Sequence, residues 1–143
     1  MKILAHTLLL NLLLTSITAL AESRIAVIVN GANTQNISRQ DIINIYNDRI
    51  IAWNNGDKIG VYNLPTASPV RETFSRNILG TTAMAAAKAE ANRHITNSSR
   101  NPQLLKRERL VILSVISNKN AIGYARAESV KKRKGIRILF LLD

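Results

Sequence analysis

From Arg24 onward the apolar residues fall into short blocks that switch between strand spacing and helix spacing, and this alternation confines the chain to α/β folds. Arg24 to Asn30 (RIAVIVN) is a β-branched, nearly continuous apolar run, as expected of a strand covered on both faces. Gly31-Ala32-Asn33 ends it. Ser38, with Asp41 three positions on, forms a capping-box pattern, and Ile42, Ile45 and Tyr46 share one face of the helix that follows. Asn54-Asn55-Gly56-Asp57 reads as a turn before a strand from Lys58 to Asn63, in which Ile59 and Val61 alternate inward with Leu64 just beyond. Ser68-Pro69 then opens a second helix that buries Val70, Phe74, Ile78 and Leu79, and Gly80 stops it.

The second half continues the pattern. Thr81-Thr82 caps an alanine-rich helix running to about His94, whose small side chains suit a helix laid over the core rather than forming it. Thr96 to Pro102 is polar enough to be a loop. Gln103 to Ile116 reads as an amphipathic helix offering Leu104, Leu105, Leu110, Val111, Leu113 and Val115 to a core. Ala121 to Ala125 and Ile136 to Leu141 complete the strands. The expected architecture is one α/β domain of two or three layers, with a mixed, mostly parallel sheet flanked by helices.

Met1 to Ala21 has the order of a secretory signal: Lys2, a leucine-rich stretch from Thr7 to Leu14, then Ala19-Leu20-Ala21. The expected organisation is a signal peptide over residues 1–21, cleaved after Ala21, and one domain over residues 22–143. The apolar run is short for a bilayer span, so no stable membrane anchor is expected after cleavage. Only Lys2 leaves with the signal, so the strong basic bias of the chain, +11 in all, belongs almost entirely to the domain. An exported protein with that charge is expected to meet anionic partners other than nucleic acid. The absence of cysteine removes disulfides and thiolate metal ligands.

Catalytic and metal chemistry have little to work with. His94 sits among polar residues at a helix end, the nine acidic residues are scattered, and neither a Gly-rich phosphate loop nor a nucleophile elbow is present. No catalytic residue, metal site or cofactor is expected. The densest charge is Lys131-Lys132-Arg133-Lys134, which reads either as a solvated turn or as a docking surface for an acidic protein or envelope polymer. Trp53 reads as a packing residue at the rim.

The strand, loop and capped helix between Ile59 and Phe74 have the geometry of an anion site. The first N–H groups of a helix lack internal partners and carry the positive end of its dipole. Thr66 and Ser68 add hydroxyls and Arg71 a guanidinium. Ser68 equally well serves as an N-cap and nothing more.

Four stretches resemble the phosphate-binding subfamily of type 2 periplasmic solute-binding proteins, in its short, single-lobe form. They are Ser38 to Tyr46, similar to the family's "sr..l..IF/IY" helix; Ala52-Trp53-Asn54, similar to "tnWnd"; the strand and helix from Ile59 to Phe74; and Ala121-Ile122-Gly123-Tyr124, similar to "GAIGY". The resemblance implies a single binding-protein lobe that takes phosphate or a similar small anion through Thr66, Ser68, Val70 and Arg71. It also implies a partner such as an ABC permease or a sensor protein. In the family's R-x-D-G-S-G-T loop, Ser68 matches the serine, whereas Leu64 stands at the arginine, Pro69 at the glycine and Val70 at the threonine.

Overall fold

A computed structural model describes residues 24–97 and 101–143. The expected signal peptide over residues 1–21 lies outside the described residues, as do positions 98–100 of the expected polar loop. In chain order the elements are β1 (Ile25–Asn30), α1 (Arg39–Tyr46), β2 (Gly60–Asn63), α2 (Pro69–Phe74), α3 (Ala83–Asn97), β3 (Gln103–Leu104), α4 (Glu108–Ser117), β4 (Ala121–Arg126), α5 (Ala127–Val130) and β5 (Ile136–Leu142).

The strands form one sheet in the order β3-β2-β4-β1-β5. It is mixed: β2 runs parallel to β3 and β4, while β1 runs antiparallel to β4 and β5. Parallel and antiparallel pairings are thus equal in number, because β1 enters between two strands that run the other way. Every residue of β1 is buried, as its unbroken apolar run demands. Alternation along β4 sends neighbouring residues to opposite faces. Tyr124 meets Tyr46 of α1 and Phe74 of α2, and a Cβ on Gly123 would meet Val111 and Val115 of α4. Helices therefore cover both faces, and the architecture is three-layered.

Local chemistry accounts for most boundaries. Ser38 and Asp41 complete a reciprocal capping box on α1. Asn30 closes the other end of α4 by donating its Nδ2 to the carbonyls of Val115 and Ile116, both at 2.9 Å. After Phe74 the helix widens into a π turn over Ser75–Leu79 and ends at Gly80, whose φ of 68° a glycine adopts without strain.

Two expectations fail. Residues 103–107 are not helical: Gln103–Leu104 pairs with β2 as a two-residue edge strand, and α4 starts only at Glu108. Leu104, Leu110 and Leu113 are exposed, while α4 buries Val111, Ile112 and Val115. The sheet edge beside β2 captures the segment that helical spacing would otherwise have claimed. Trp53 is buried more deeply than a rim residue and donates its Nε1 to Asn120 O at 3.1 Å.

Two tests follow from this packing. Gly123→Ala would place a Cβ 2.6 Å from Val111 Cγ1, so overpacking should cost about 1–3 kcal/mol in urea unfolding. Glu72 fastens α2 to the start of α3: it accepts from Ala83 N at 2.8 Å and from Arg76 Nε at 2.7 Å. The Ala83 N–H first, and Arg76 after it, hold the Glu72 carboxyl below its ordinary value of 4.5. Its contribution is present above that value and lost as pH falls through the lowered folded pKa. The stability gap between the parent and Glu72→Gln, measured by denaturation across the acid range, should therefore close as pH drops.

Candidate functional site

β2 ends at Asn63, and the loop from Leu64 to Ser68 delivers the chain to α2 as the turn-forming sequence predicts. Ser68 N donates to Pro65 O at 2.9 Å, which tightens the loop, and Ser68 Oγ accepts from Arg71 N at 3.4 Å as the N-cap. Thr66 and Ser68 are half-buried. The Val70 side chain is buried in the core, so what Val70 brings to the helix start is its backbone N–H rather than its side chain. Ser68, Val70 and Thr66 are brought together here.

Arg71 belongs to a different environment. It is only 3% exposed, and its guanidinium turns inward. Nη1 donates to Leu64 O at 2.8 Å, and Nη2 lies 3.0 Å from both carboxylate oxygens of Glu90 on α3. Glu90 in turn accepts from Asn63 Nδ2 at 2.9 Å. Asn63 Oδ1 accepts the hydroxyl proton of Tyr124, while Leu64 N donates to that hydroxyl oxygen at 3.2 Å. The loop carbonyl and amide of Leu64 are therefore both held by buried side chains.

An aromatic cluster backs the network. Phe74 stacks on Tyr124 with ring centroids 4.0 Å apart and planes 4° from parallel, and Tyr46 tilts against Phe74 at 4.7 Å. Tyr46 donates its hydroxyl to Tyr62 O at 2.8 Å. Burial pushes both the Tyr46 and Tyr124 phenols well above their ordinary value of 10, so they remain neutral donors wherever the fold persists.

Glu90 was invisible as a partner in the sequence, because nothing local relates a carboxylate in the alanine-rich helix to an arginine nineteen positions earlier. Its place on the buried side of that helix, with Ala83 and Ala86, is what demands a partner opposite. His94 is exposed at the end of α3, its Nε2 2.9 Å from Asn101 O. Among the described residues no group of three or more His, Cys, Asp or Glu side chains is placed to hold a metal ion.

No family model matches the chain, and no curated protein matches its sequence. Solved structures do match. An ABC-type phosphate transport receptor from Vibrio cholerae superposes with a TM-score of 0.60 at 20% identity, over 80% of this chain and 44% of that one. A possible phosphate binding protein from Planctomyces limnophilus gives 0.59 at 15% identity, over 80% and 40%. A proposed phosphate ABC transporter substrate-binding protein from Clostridium perfringens, with bound phosphate, gives 0.56 at 20% identity, over 84% and 56%. The fold is that of a phosphate-binding-protein-like α/β lobe, and the chain spans about half the length of the structures it matches.

The buried pair makes a sharp prediction. Arg71→Met alone leaves Glu90 charged and unpaired in the interior and should cost about 3–5 kcal/mol. Arg71→Met/Glu90→Gln leaves no buried charge, and the glutamine amide oxygen still accepts from Asn63. In a double-mutant cycle by chemical denaturation, the double variant should therefore be more stable than Arg71→Met.

Proposed function

We propose that this is an exported solute-binding-protein-like protein that takes phosphate or a similar small anion at the start of α2, in phosphate uptake or sensing. The observation that carries the reading is the likeness to phosphate-binding structures together with a strand, loop and Ser68-capped helix at the position described above. Thr66 and Ser68 supply hydroxyls and the Val70 N–H a backbone donor. Arg71 stands behind the loop as a charge already neutralised by Glu90, so it supports Leu64 rather than gripping the ligand. Such a site binds through neutral donors and the helix end, which favours weak affinity unless a second lobe, copy or partner closes over it. An ABC permease or a sensor protein is the partner that fits this role. Cleavage after Ala21 would deliver residues 22–143 to the periplasm. Among the described residues no helix is long and apolar enough to cross a membrane.

A second reading is a non-transport adaptor or sensor input that meets an acidic protein or envelope polymer through its basic surface. It is favoured by Lys131, Lys132, Arg133 and Lys134, which are all exposed and make no ion pair with any described residue.

Calorimetry with phosphate and sulfate tests the first reading. A dissociation constant in the millimolar range is expected, equivalent to roughly 4 kcal/mol. Thr66→Val/Ser68→Gly should weaken it about tenfold while costing only a few tenths of a kcal/mol in helix capping, since glycine is a tolerated N-cap. Binding that survives this double variant unchanged would place the anion elsewhere, and no binding at millimolar ligand would end the anion reading.

A further inference from the structure

The end of the sheet opposite Ser68 carries a groove of about 530 Å³, a size ordinary for ligand pockets. The strand directions put it there. β1 runs antiparallel to β4, so the loop leaving β1 meets the loops that enter β2 and β4. Asn33, Gln35, Asn54, Asn55 and Asn120 put five amide side chains on its wall, beside Thr34 and Lys119, over a surface that is as much apolar as polar. Its two opposite charges, Asp57 and Lys119, face one another at 3.6 Å. A smaller depression of about 170 Å³ adjoins it, and both share Gln35 and Asn54, joined by a 3.0 Å bond from Asn54 N to Gln35 Oε1. Two depressions divided by one ridge suit an oligomer with a unit in each better than a single small molecule.

Asn33 adds an independent mark. It is only 7% exposed; its Oδ1 accepts from Gln35 N at 3.0 Å, and its buried Nδ2 has no hydrogen-bond partner among the described residues. A buried donor left unmade is costly, and a ligand oxygen that met it on a small turn of the side chain toward the groove would remove that cost. Planar amides that both donate and accept are the chemistry that recognises vicinal hydroxyls.

The chain just after the basic segment reaches the same loop. Gly31 N donates to Gly135 O at 2.8 Å, and Arg137 Nη2 donates to Gln35 O at 2.7 Å, so the chain leaving Lys134 lies directly against the loop that forms the wall. Lys119 is 73% exposed at the groove mouth. Amides inside, Lys119 at the mouth beside Asp57, and the exposed cations of Lys131–Lys134 farther along the chain together describe one ligand.

We propose that this groove binds an acidic oligosaccharide, its hydroxyls on the Asn33, Asn54 and Asn55 amides and its acid groups on Lys119 and the Lys131–Lys134 segment. The proposal gives the basic-surface reading a ligand and rests on it for the cations, but not for the groove. It is independent of the anion site at Ser68.

Amide-resolved NMR of the full chain tests it with trigalacturonate, maltotriose as the neutral sugar and hexaglutamate as the anion without hydroxyls. Trigalacturonate should shift the side-chain amides of Asn33, Asn54 and Asn55 and the backbone of Lys119 and Lys131–Lys134, leaving Thr66 and Ser68 unmoved. Asn54→Ala and Lys131→Glu/Lys132→Glu should each weaken it about tenfold, the loss of one good hydrogen bond or charge contact. Maltotriose should move the groove amides more weakly and without salt dependence. Three outcomes overturn the proposal: neither sugar moves the groove amides, hexaglutamate moves them equally, or the shifts stay within Lys131–Lys134. The last would leave the basic-surface reading standing without the groove.

Discussion

The buried ion pair between Arg71 and Glu90 is the constraint around which this lobe is arranged. Through it and its neighbours Asn63 and Tyr124, four elements meet at one point: the end of β2, the first turn of α2, the middle of α3 and the centre of β4. Removing both charges from water costs several kcal/mol per ion before their attraction repays it, so such a pair is weak evidence of net stability. Its effect is positional. Each member tolerates only the arrangement in which the others are satisfied, so the loop from Leu64 to Ser68 is held at both its carbonyl and its amide.

That arrangement has a functional consequence. An arginine one turn into a helix, beside a loop with two hydroxyls, reads as an anion receptor until its partner is known. With Glu90 placed on the guanidinium, the helix start keeps its dipole and hydroxyls but loses a formal charge. On the anion reading proposed above, a site of this kind suits reversible contact more than tight capture. The lobe has a second, chemically distinct end, where the groove with its five amides lies beside the chain that follows the basic segment. The same β1 reversal that makes the sheet mixed creates this end, because it brings the loop after Asn30 to the loops entering β2 and β4.

Local patterning carried far along this chain. The two-faced burial of β1, the Ser38 capping box, the Ser68 start of α2 and the Gly80 stop are each decided within a few residues, and each is where the sequence places it. The same logic failed at Gln103–Leu104, where leucines at helical spacing were drawn into the sheet instead. It also failed to give Arg71 its role, although it singled the residue out, because the deciding carboxylate arrives from another helix.

The sequence by itself therefore determined most of the strand and helix segments, though not the edge strand at Gln103–Leu104, together with the basic character of the chain and the strand-loop-helix frame around Ser68. These follow from backbone propensity, capping and apolar spacing, all of them short-range. Only the tertiary structure decided the reversal of β1, the exposure of Leu104, Leu110 and Leu113, the neutralisation of Arg71 and the gathering of Asn33, Asn54, Asn55 and Lys119 into one groove. Each of those depends on which distant side chain or strand edge ends up opposite, and burial attaches a cost to any polar group left without such a partner.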